Sequence, residues 1–187
     1  MGVKDVKMGI EDVKSVFANW TPRDLSEAGI VFTESVDPPY DPDLDDYWIV
    51  YEASFKPAAL DKAGMELCLT EEGYVGVSIE PSKRVTQRLG LWITTDGDVI
   101  GHDLMSVSMD GLQLLFDIVV HGRLFIVVRS VLGLELSAKG FISASDYDTL
   151  LRSGYDPRDV GLASMPSGNH DNGPAPVWGK VLSYRPW

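Results

Sequence analysis

Apolar side chains recur at helical spacing at two places along the chain. Ile10, Val13, Val16, Phe17 and Trp20 form the first stripe, with Glu11, Asp12, Lys14 and Ser15 off it, which predicts an amphipathic helix over residues 9–20. Leu112, Leu115, Phe116, Val119 and Val120 form the second, at i, i+3, i+4, i+7 and i+8. Here the predicted helix spans residues 109–121, with Ser108 or Asp110 as cap and Gly122 as the stop beyond its end. Two shorter helices are expected beside these. Thr21-Pro22 is a cap followed by proline at the first helical position, so one helix runs to Ala28 and stops at Gly29. Another opens at Ser145 and runs through Tyr147, Leu150 and Leu151 to Gly154.

Between the helices the period shortens to two. Residues 30–36 and the aromatic, β-branched run 47–55 read as strands. Residues 65–70 and 74–80 flank Glu71-Glu72-Gly73, a hairpin signal, with Met65, Leu67 and Leu69 on one face and Cys68 on the other. Residues 57–62 read as a helical turn, 82–89 as a short helix carrying Lys83, Arg84 and Arg88, and 90–95 as a strand turning at Asp96-Gly97. The apolar run 124–128 suits a buried strand, which residues 132–136 extend or pair with. Residues 161–176 are a Gly-, Pro-, Ser- and Asn-rich connection, and 177–184 a terminal strand tied down by Trp178. Strands run between isolated helices rather than alternating with them, so the expected fold is α/β of the α+β type. It has a single domain over residues 1–187 and a mostly antiparallel sheet with two to four packing helices.

Composition adds little to this picture and charge adds a good deal. With 44% apolar and 24% charged residues, the chain can bury a core without disulfides or a structural metal. The lone Cys68 reads as a small apolar residue and suits a reducing, cytoplasmic setting. Residues 1–6 hold no long apolar stretch, and no run elsewhere is long enough to span a bilayer, so neither a signal peptide nor a membrane segment is expected. Residues 1–110 carry 21 acidic and 9 basic side chains, and residues 111–187 carry 7 of each. The whole net charge of −12 therefore lies in the first part of the chain. Such a field repels nucleic-acid phosphates and speeds the approach of basic partners.

The acid concentrates in Asp37-Pro38-Pro39-Tyr40-Asp41-Pro42-Asp43-Leu44-Asp45-Asp46, whose prolines exclude helix and central strand. Asp41, Asp43 and Asp45, with Glu52 at the twelfth position, have the oxygen spacing of a calcium loop. Asp46, however, stands where that loop needs glycine, and prolines bar the entering helix. The reading preferred here is a partner-binding loop made of Tyr40, Asp41, Asp43, Asp45, Asp46, Tyr47 and Trp48, because aromatics edged by charge resemble an interface hot region.

Catalytic motifs are missing. No nucleophile elbow, HxH or HExxH spacing occurs, and Gly73-Tyr74-Val75-Gly76 lacks the lysine of a phosphate loop. His102-Asp103 and His170-Asp171 pair an imidazole with a carboxylate, but adjacent side chains point apart, and His121 falls at a helix end. The expectation is a non-enzymatic protein with no cofactor and no bound metal. It would bind a basic protein partner rather than nucleic acid or membrane, in the character, though not by matching residues, of an acidic immunity-type inhibitor of a toxin. A secretion chaperone shares these features. A metal-assisted hydrolase assembled from His102, Asp103 and His170 is the competing class.

Overall fold

The computed structural model describes residues 8–36, 49–80, 108–131, 134–165 and 180–187. Four α-helices and two four-stranded sheets make up these segments, a mixed α+β fold as expected. Helices α1 (Ile10–Ser15) and α2 (Pro22–Glu27) lead into strands β1 (Ile30–Val36), β2 (Ile49–Pro57), β3 (Gly64–Thr70) and β4 (Val75–Glu80). Helix α3 (Met109–Val120) is followed by β5 (Phe125–Val131), β6 (Leu134–Ile142), helix α4 (Ala144–Arg152), a 3-10 turn (Pro157–Val160), β7 (Leu162–Ser164) and β8 (Lys180–Ser183).

The strands divide into two sheets. Strands β1-β2-β3-β4 form an antiparallel meander, and the second sheet has the order β7-β6-β5-β8. All described pairs are antiparallel except β6 with β7. The parallel pair needs a crossover, and α4 with the 3-10 turn supplies it. In the first sheet the register places Tyr51, Ala53 and Phe55 beside Leu69, Leu67 and Met65, and these beside Val75, Val77 and Ile79. All nine are buried, as the alternation in the sequence requires. Cys68 lies on the other face and is buried too.

The stripe at the N-terminus packs as expected, on a shorter helix. α1 ends at Ser15, and residues 16–20 continue as tight turns in which Val16, Phe17, Ala18 and Trp20 donate to carbonyls three residues back. Val13, Val16 and Phe17 still reach the core, because a tightened turn keeps the stripe on one side. Thr21 caps α2 through a reciprocal bond with Asp24, and Gly29 stops it with φ +72°. Residues 58–62 form a bend and a single turn in which the Lys62 amide donates to the Ala59 carbonyl, while Pro57 ends β2. The cap of α4 is Ser143, not Ser145: the Ser143 hydroxyl accepts from the Asp146 amide and donates to its carboxylate at 2.9 Å. Asp146 is buried and also pairs with Arg123, so this carboxylate ties α4 to the start of β5.

α3 is buried around most of its circumference, as befits a helix covered on more than one side. Ser108 is its cap, and Gly122 (φ +63°) follows its last turn. Phe116 points at the first sheet, into a ring cluster with Phe17, Phe55 and Trp187 at centroid distances of 5.1–6.3 Å. Residues 184–187 close this cluster. The Arg185 amide donates to the Asp61 carbonyl, the Trp187 amide to Val120 and the Trp187 indole to Ala63 at 2.9 Å. The anchor beyond the last strand is therefore Trp187, while Trp178 lies outside the described residues.

Tyr184 is buried, and its hydroxyl has no hydrogen-bond partner among the described residues. Burial raises its pKa above the ordinary tyrosine value of 10.0. A group whose pKa rises on folding makes a contribution that is fully present below its unfolded pKa and is lost as pH climbs from there toward its folded pKa. Stability should accordingly decline as pH rises from about 10. Tyr184→Phe should blunt that decline and, by removing a buried hydroxyl that lacks a partner, stabilise the protein at pH 7 by about 1 kcal/mol. Urea melts at pH 7 and above pH 10 check both effects, and a destabilised variant at pH 7 would show the hydroxyl to be bonded.

Candidate functional site

Register places the ends of the acidic segment on the fold. β1 finishes at Val36, opposite Tyr51, and β2 begins at Ile49, opposite Thr70. The chain therefore leaves and re-enters the first sheet at the end where Glu71-Glu72-Gly73-Tyr74 turns β3 into β4. Glu71, Glu72 and Tyr74 are exposed there. The residues expected to contact a partner, Tyr40, Asp41, Asp43, Asp45, Asp46, Tyr47 and Trp48, lie outside the described residues, as do His102, Asp103 and His170.

Around this end the electrostatics are one-sided. Glu34 on β1 pairs with Lys14 of α1 at 3.2 Å and accepts a bond from the Tyr51 hydroxyl at 3.3 Å. The Lys14 ammonium also lies 5.4 Å from the centre of the Tyr51 ring. Burial, with the charges of Glu34 and Glu11 added to it, pushes the Tyr51 phenol above its ordinary range. Neutral at any physiological pH, Tyr51 serves as a fixed donor beneath Glu34. Glu52 stands exposed on the opposite face of β2. Sequence reasoning passed over Glu34, whose signal was faint: a lone carboxylate at a core-facing strand position beside a lysine-bearing helix.

No cluster of three metal-ligating side chains occurs among the described residues. The Cys68 thiol is pushed up by burial, and further by Glu52 and Glu66, against a smaller opposing effect from a backbone bond to Gly76, which makes it a poor nucleophile. His121 sits at the end of α3 with Nδ1 2.7 Å from the Asp117 carbonyl, the capping role its position suggests. Buried Asp146 is occupied by Arg123 and Ser143. Among the described residues, no helix is long and apolar enough to cross a membrane.

Compared with known proteins, the chain matches no protein-family model, no curated protein and no solved structure.

Proposed function

We propose that the chain is a non-enzymatic binding protein whose acidic end receives a basic protein partner, acting as an immunity-type inhibitor of a basic toxin or effector. The observation that carries this reading is the placement of charge. Residues 37–46 bring five aspartates and no cation, and Val36 and Ile49 on either side of them lie at the end of the sheet that also holds Glu71, Glu72 and Glu34. A field of one sign at one end of a rigid sheet accelerates encounter with the opposite sign by roughly 10–10³-fold at low salt. Tyr40, Tyr47 and Trp48 would supply the apolar contact that charge alone lacks.

The test uses the protein as bait at low ionic strength, followed by kinetics against the protein it retains. Asp41, Asp43, Asp45 and Asp46 changed together to Asn should slow association about ten-fold or more and flatten its dependence on salt, because steering is screened within about 10 Å at 0.1 M. The melting profile should stay as it was. An unchanged association rate in that variant would take the segment out of the interface. Protection against the target should follow their molar ratio and survive alanine at His102, Asp103 or His170. Protection at far below one equivalent would instead mark a catalyst.

A further inference from the structure

Past β8 the chain leaves its own sheet and reaches across to the other. β8 pairs with β5 as far as Ser183, which lies opposite Phe125. Tyr184 is then buried, Arg185 and Pro186 are exposed, and Trp187 is half-buried. The Arg185 amide donates to the Asp61 carbonyl at 2.7 Å, and its guanidinium pairs with the Asp61 carboxylate. The Trp187 amide donates to the Val120 carbonyl and the indole to the Ala63 carbonyl, both at 2.9 Å. The indole ring meets Trp20, Phe55 and Phe116 at centroid distances of 5.5–5.8 Å. Asp61 and Ala63 belong to the connection between β2 and β3, and Val120 is the last residue of α3.

These contacts are specific in geometry and narrow in extent. Each of the three bonds goes to a carbonyl in a connection or at a helix end, and none belongs to a strand ladder or to a helix's own bonds. The ion pair is exposed, with side chains 71% accessible at Arg185 and 27% at Asp61, so water and salt weaken it. The indole is the one large apolar group the three residues contribute. Residues secured by so few buried contacts open at a lower free energy than the elements they lie on. Tyr184 differs. Its side chain is buried, and its carbonyl oxygen packs on Gly122, where an added methyl would stand only 2.6 Å from it.

We infer that residues 185–187 form a clasp that swings open as one unit about Tyr184 while both sheets stay folded. Tyr184 is the root and Trp187 the tip. Closed, the clasp fastens the end of the second sheet to the β2–β3 connection of the first and to the end of α3. Open, it gives up its three bonds, its ion pair and the ring contacts with Trp20, Phe55 and Phe116 together, because Arg185 and Trp187 are only two residues apart on one short stretch of chain. The ladder between β8 and β5 is untouched by that movement, since it ends before the root.

Hydrogen exchange followed by NMR, at urea concentrations below the unfolding transition, tests this. The Arg185 amide, the Trp187 amide and the Trp187 indole proton should share one opening constant. It should not depend on urea, because so small an opening exposes little surface. It should exceed the constant for the Phe116 and Ile118 amides, in the middle of α3, by about ten-fold or more. Arg185→Ala removes the exposed pair and should raise opening at both Trp187 protons about two- to five-fold, while the α3 amides keep their rate. Exchange of all three protons at the α3 rate and with its urea dependence would show that these residues part only when the whole molecule unfolds, and would overturn the clasp. Unequal opening constants among the three would overturn its movement as a unit. Acceleration of the α3 amides in Arg185→Ala by the same factor as the Trp187 protons would make the pair a support of the whole fold, and would sink the inference too.

Discussion

Phe116→Ala is expected to lower the free energy of unfolding by about 3–5 kcal/mol, the range for truncating a fully buried phenylalanine. The ring is 1% exposed and touches Phe17, Phe55 and Trp187, each from a different segment of the chain. Removing it opens a void that three rigid rings cannot collapse to fill, so the loss should fall at the upper end of that range. A domain of ordinary stability has only about 5–15 kcal/mol in hand, and the variant would be partly unfolded in mild denaturant. Phe32→Ala offers the contrast. That ring meets Phe17 and Phe55 but is only half-buried, so its loss should cost clearly less. Urea titration of both variants decides the matter, and equal losses would show that the cluster is not centred on α3.

Gly122→Ala should be damaging for a different reason. With φ +63°, the residue already holds a left-handed conformation that costs an alanine about 1 kcal/mol. A methyl group there would also meet the Tyr184 carbonyl oxygen at 2.6 Å and the Arg185 carbonyl carbon at 2.8 Å. Both are backbone atoms, and the segment holding them is bonded to Asp61, Ala63 and Val120, so it has little room to retreat. Gly154 isolates the conformational part: its φ is +84° and nothing lies within 4 Å of an added methyl. Gly154→Ala should therefore cost about 1 kcal/mol and Gly122→Ala about 3 kcal/mol or more. If the two melts coincide, the contact between residues 122 and 184–186 is looser than described.

These two positions also separate what was legible in the sequence from what was not. The stripe bearing Phe116, the Ser108 cap and the Gly122 stop are local signals and could be read directly. So could Thr21-Pro22, the Gly73 hairpin and the strand 30–36, since each depends on residues a few positions apart. The closure of the Phe116 cluster by Trp187 depends on partners far away in the sequence, Ala63 124 positions before it, and leaves no periodicity behind. The same holds for the division of the strands into two sheets and for the parallel pairing of β6 with β7. The cap at Ser143 was missed because Ser145 stands two residues on in the same kind of sequence. Only the carboxylate reply from Asp146 distinguishes them. At the candidate site, composition revealed the acid segment, and strand register placed Glu34, Glu71 and Glu72 at the end of the sheet where Val36 and Ile49 lie, which no spacing in the sequence shows.

Trp187 has a consequence for the order in which the molecule comes together. Its indole bonds to Ala63, 124 positions earlier, and its ring lies against Phe55 and Phe116. β8, just before it, pairs with β5. Closing so large a loop carries an entropic cost that must be met before the contacts reward it, and chains built this way fold slowly. During synthesis the first sheet emerges with its aromatic hollow uncovered and must wait for residues 180–187 to follow. Through that interval a sticky apolar surface stays uncovered. A chaperone that shields such surfaces would find its work there.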